Sequence, residues 1–157
     1  MHSEQISRSE FPHTRSIASI GGHPIHPMLV PFPIVCFVGA FVTDLVYWRS
    51  MSFIWTTFSV WLITAGLIMA VFAAIVGLVD FAANRRIREF RPAWYHLFGN
   101  ALAIVLSVIN VFVHSRDGYT AVVPTGIILS GIVVLIMMIT GWIGGEAAYR
   151  RRVGVSY

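Results

Sequence analysis

Four apolar runs divide this chain, at about residues 28–48, 53–83, 94–114 and 121–145, and the only formal charges within them are Asp44 and, close to the end of the second, Asp80. Each has 20 or more residues. At 1.5 Å per residue, roughly 20 residues cross a hydrocarbon core of about 30 Å. A backbone in lipid must satisfy its own polar groups, and continuous apolar runs without period-two alternation do so as helices. The fold class expected is therefore all-α: an integral membrane four-helix bundle running up-down-up-down.

Little of the chain remains outside the spans. A 22-residue arm (1–22) precedes a membrane domain over 23–146, and a short tail (147–157) follows. With 57% hydrophobic and 11% charged residues, the composition leaves no room for a separate soluble module. The arm mixes His, Glu, Arg and Pro and has no apolar run resembling that of a signal peptide. Cys36 is alone and lies in the first span, where a thiol usually serves packing.

All 11 basic residues are arginine. Arg8, Arg15, Arg85, Arg86, Arg88, Arg91, Arg150, Arg151 and Arg152 lie on one side of the implied bundle, against Arg49 and Arg116 on the other. The positive-inside rule then puts both termini in the cytoplasm, as an even number of spans requires. Arginines in these places anchor topology and attract lipid headgroups, so no nucleic-acid partner is expected. Small residues at four-residue spacing (Gly66, Ala70 and Ala74; Gly99 and Ala103; Gly141 and Gly145) allow close helix packing within the bundle, or in a homo-oligomer. No internal repeat is evident.

The sharpest local string is Gly21-Gly22-His23-Pro24-Ile25-His26-Pro27-Met28. Asp80 lies about one turn before the end of the second span, and His96 lies about one turn into the third. Because these helices run in opposite directions, the two side chains reach similar depth. His26 opens the first span on the same side, and Glu146 follows the fourth. One layer is thus expected to gather His23, His26, Asp80, His96 and Glu146. Imidazole and carboxylate ligands suit a transition metal such as Zn, Fe(II) or Mn. Alternatively, His26 and His96, with His23 nearby, are candidate cofactor ligands to a b-type haem.

The same residues can serve packing alone, with Asp80 bound to Arg85 or Arg88, in a cofactor-free accessory subunit. At the other end, Asp44 is expected to pair with Arg49, and His114 to be solvated. Asn100 and Asn110 are expected to hydrogen-bond between helices. No nucleophile–base pair or phosphate loop is present, and no catalytic residues are assigned.

The string from His23 through Pro33 and Ile34, with Gly77-Leu78-Val79-Asp80-Phe81, His96 and Gly144-Gly145-Glu146, resembles the bacterial membrane family known as domain of unknown function 2231. The resemblance covers about residues 21–155. It implies a multi-pass protein of the bacterial inner membrane. Related domains occur beside cytochrome-like or Rieske-like modules, which implies a redox setting and redox partner proteins.

Overall fold

The structure is a computed structural model, and it describes residues 16–116 and 122–147. His2 and His13 (expected to be solvated and without chemistry), the turn expected at Asp117-Gly118, and the arginines Arg8, Arg15 and Arg150 to Arg152 lie outside the described residues. Two short strands, β1 (Ser19–Ile20) and β2 (His23–Pro24), pair antiparallel in the N-terminal arm. Gly21 and Gly22 join them with φ of 59° and 84°, the left-handed pair that a two-residue hairpin turn requires. The chain then enters α1 (Ile25–Leu29) and α2 (Pro31–Ser50), separated at Val30. Pro31 has no N–H to donate, which accounts for the break at that point.

Helix α3 (Ile54–Ala83) returns across the bundle, and the short α4 (Arg85–Glu89) leads to α5 (Arg91–His114). A wide turn over Val122–Gly126 precedes α6 (Ile127–Gly145). Four candidate spans result: Ile25–Ser50, Ile54–Ala83, Arg91–His114 and Val122–Gly145. In chain order these are spans one to four. The chain is a four-helix membrane bundle with lipid-facing apolar helices.

Its surface and core are arranged inside out. Large apolar side chains face outward, among them Trp61, Phe72, Phe98, Phe112, Met138 and Trp142. The interior holds small or polar side chains, such as Ala40, Ser59, Ala73, Ala103, Ser107 and Ser130, around Phe37, Ile63 and Val133. Lipid tails supply no hydrophobic drive between helices, so close contact and hydrogen bonds must join them.

The buried positions reveal a repeat. In α2 they include Pro33, Phe37, Ala40 and Asp44; in α5 they are Ala103, Ser107, Asn110 and His114. The two sets have identical spacing. In α3 the run Ser59, Ile63, Gly66, Ala70 and Ala73 likewise matches Gly126, Ser130, Val133, Met137 and Thr140 of the fourth span. Alternating steps of three and four residues keep one stripe inward, as in coiled-coil packing. Spans one with two, and three with four, are therefore two helix pairs built on one packing plan. The sequence conceals this because these buried equivalent positions hold different residue types.

Candidate functional site

Equivalent side chains meet at both ends of the bundle. At the end that carries the arm, His26 opens span one and His96 opens span three. Their ring centroids lie 6.0 Å apart, edge to face, with planes at 81°. His26 Nδ1 lies 2.8 Å from the carbonyl of Ala73 in span two. His96 Nδ1 lies 2.9 Å from the carbonyl of Thr140 in span four. These carbonyls are equivalent positions of the repeat, so all four spans orient the pair.

Two glycines make the arrangement sterically available. A Cβ on Gly77 would come 2.9 Å from His26 Nδ1, and one on Gly144 would come 2.9 Å from His96 Cε1. Both distances are shorter than side chains tolerate. A carbonyl can only accept, so each Nδ1 carries a proton and donates it. The Nε2 of each neutral ring is then left with a lone pair. Among the described residues, neither Nε2 makes a hydrogen bond.

The other residues expected in this layer do different things. Asp80 is buried, and its carboxylate is occupied by the arm: it accepts from Ser16 Oγ at 2.7 Å, Ile17 N at 2.8 Å and Ala18 N at 3.0 Å. The expected pairing with Arg85 or Arg88 is replaced by this clamp. Arg85 instead bonds Glu89 at 2.9 Å, and Arg88 caps the carbonyls of Phe81 and Ala82. His23 is exposed on β2, and Glu146 is exposed just beyond α6. No group of three or more His, Cys, Asp or Glu side chains is gathered at metal-binding distance among the described residues. The structure thus brings together His26 and His96 from the set of five.

At the far end, the positions equivalent to each other are Asp44 and His114, and they bond directly. His114 Nε2 lies 2.8 Å from Asp44 Oδ1, and both side chains are fully enclosed. This corrects both expectations for that end: Asp44 does not pair with Arg49, and His114 is not solvated. Ser130 Oγ donates to Asp44 Oδ2 at 2.6 Å, and Asn110 Nδ2 donates to Ser130 Oγ at 2.8 Å. His114 Nδ1 lies 3.0 Å from the Asn110 carbonyl and must donate to it. One further proton therefore bridges His114 and Asp44, whichever of the two holds it.

Hydrogen-bond direction also fixes the Asn110 amide. Ser130 gives its one proton to Asp44, so Asn110 must offer its NH₂ there. Its Oδ1 is left buried without a partner. The space bordered by Ser107, Asn110 and Ser130 within the core is too narrow to admit a water molecule.

The interhelical role expected for the two asparagines is seen. Asn110 bonds Ser130, and Asn100 Oδ1 accepts from Thr140 Oγ1 at 3.4 Å. The far-end network had one sequence signal. His96, Asn100, Ser107, Asn110 and His114 fall at alternating four- and three-residue steps on α5, with Ala103 between. Such a polar stripe in an apolar span must face the bundle interior.

A family model described as "Predicted membrane protein (DUF2231)" matches residues 22–157. No curated protein and no solved structure matches the chain.

Proposed function

The chain belongs to the DUF2231 family of predicted membrane proteins, and on that premise we propose that it binds a single first-row transition-metal ion between His26 and His96. The observation that carries this reading is the paired orientation of two imidazoles by carbonyls of two other helices. A histidine that donates Nδ1–H to a carbonyl presents Nε2 to a metal in a fixed direction. One ion about 2 Å from each Nε2 would hold the two centroids roughly 5–6 Å apart, and the observed separation is 6.0 Å. Imidazole suits Zn, Fe, Cu and Ni. An ion bound by two protein ligands keeps open positions, as catalytic and exchangeable sites do.

An ion fits this place better than a haem. Gly77 and Gly144 press against the rings so closely that even a methyl group would collide. A macrocycle between the rings requires the helices to part. Asp80, held by the arm, serves as a positioning group for residues 16–18 in this reading and is not a ligand. His23 lies three residues before His26, and Glu146 two residues beyond Gly144, which abuts the His96 ring, so both are candidates to complete the coordination from outside the bundle. The positive-inside bias supports a site at the cytoplasmic face of a bacterial inner membrane, where a redox partner would reach it.

A second reading is a cofactor-free accessory subunit. It is favoured by the Asp80 clamp, in which every acceptor contact fastens the arm to span two. Elemental analysis and a visible spectrum on tag-free, detergent-purified protein separate the two. The metal reading expects one equivalent of metal without a Soret band, lost in His26→Ala and His96→Ala. A folded protein that holds no metal, even after dialysis against Zn²⁺, favours the accessory reading. A Soret band lost in the same variants replaces the ion with haem.

A further inference from the structure

The structure points to a second ligand, at the opposite end of the bundle: we propose that Arg49 and the groove beneath it bind one anionic phospholipid. The groove, shallow and open with room of about 390 Å³, is lined by Val42, Leu45 and Val46 together with Arg49 and Ser50, which lie toward the end of α2. These positions follow one face of α2 over nine residues, which is about 12 Å of helix. In a bilayer such an apolar groove on the outside of the bundle is in contact with hydrocarbon, and an acyl chain lying along α2 fills it.

The charge at that end of α2 selects the headgroup. Arg49 is exposed and makes no hydrogen bond or ion pair among the described residues. Its nearest acidic neighbour in sequence, Asp44, points inward to His114 and Ser130 and cannot neutralise it. A guanidinium binds a phosphate through two parallel hydrogen bonds. Trp48 is exposed one residue away, at the end of the span where indole rings sit at headgroup depth. Apolar groove, exposed guanidinium and interfacial indole thus match, in order, the chain, phosphate and interface of one lipid. A zwitterionic lipid offers the same chain, but its own ammonium competes for the phosphate. The preference should therefore be for a net anionic lipid.

The test is local photo-crosslinking, because the arginines of α4 and its surroundings also attract anionic lipid at the other face. A benzoylphenylalanine placed at position 50, at the same end of the groove as Arg49, is irradiated in nanodiscs of equal phosphatidylglycerol and phosphatidylcholine. Mass spectrometry then counts the two adducts. Several-fold more phosphatidylglycerol adduct is expected, falling to parity in Arg49→Gln and unchanged in Arg86→Gln. Filling the groove with Val46→Trp should lower both adducts. Equal adducts with Arg49 present, or a preference that survives Arg49→Gln, would overturn the proposal. None of these outcomes depends on metal at His26 and His96.

Discussion

Each end of the bundle pairs one position of the repeat with its equivalent, and the two ends do so for opposite purposes. At the arm end, His26 and His96 turn their Nδ1 protons to helix carbonyls and make no protein bond through Nε2. At the far end, Asp44 and His114 bond to each other, and Ser130 and the Asn110 carbonyl take up what remains. The same pairing of equivalent positions thus gives a pair of available ligands in one case and a closed latch in the other. The difference lies in residue type. Two imidazoles with like orientation cannot satisfy one another, whereas a carboxylate and an imidazole can. A buried pair of the second kind fixes helix register, and a pair of the first kind is available for a ligand.

The largest expected effect is at the latch. His114→Leu leaves the Asp44 carboxylate enclosed without its partner, and breaking such a pair costs about 3–5 kcal/mol. Replacing both residues by Leu should recover most of that loss. Denaturant unfolding in detergent reads this directly; a single variant as stable as the parent would remove the distinction between the ends. Next in size is the arm clamp. Asp80→Leu removes an acceptor of three bonds whose donors lie on the arm and can turn to water, so a loss of about 1.5–3 kcal/mol in all is expected. The amides of Ile17 and Ala18 should then exchange with solvent at least tenfold faster, while bound metal is retained. Loss of metal in this variant would move Asp80 into the ligand set.

A smaller effect sharpens the arm-end pair. Gly144→Ala puts a methyl group against the His96 ring, and overpacking of this kind costs about 1–3 kcal/mol. It should also weaken metal binding about 10–100-fold, as loss of ligand orientation does. The smallest stability change is expected for His26→Ala. One hydrogen bond is lost, worth about 1 kcal/mol, yet metal should be lost outright. A metal titration beside each unfolding curve checks both.

The spans and the depth of His26 and His96 were legible in the sequence, because hydropathy and the distance of a residue from a helix end are local quantities. The Asp44–His114 bond was not. Asp44 has Arg49 five residues away, and the sequence order favours that neighbour. What decides between them is which face of α2 points inward, and the low contrast between lipid and core hides that face in a membrane helix. The repeat escaped notice for a related reason. Its signature is spacing, with Ile63 standing opposite Ser130 and Asp44 opposite His114, so residue identity carries almost none of it. The Asp80 clamp was hidden as well, since two of its three donors are backbone amides of Ile17 and Ala18, which any residue except proline could supply.

The most direct measurement is nitrogen NMR on protein labelled at histidine nitrogen, before and after one equivalent of Zn²⁺. Unprotonated Nε2 signals are predicted for His26 and His96, both shifting when Zn²⁺ is added, with His114 unmoved. Protonated Nε2 on either arm-end histidine, or two rings indifferent to the ion, would contradict the assignment of that pair as a metal site.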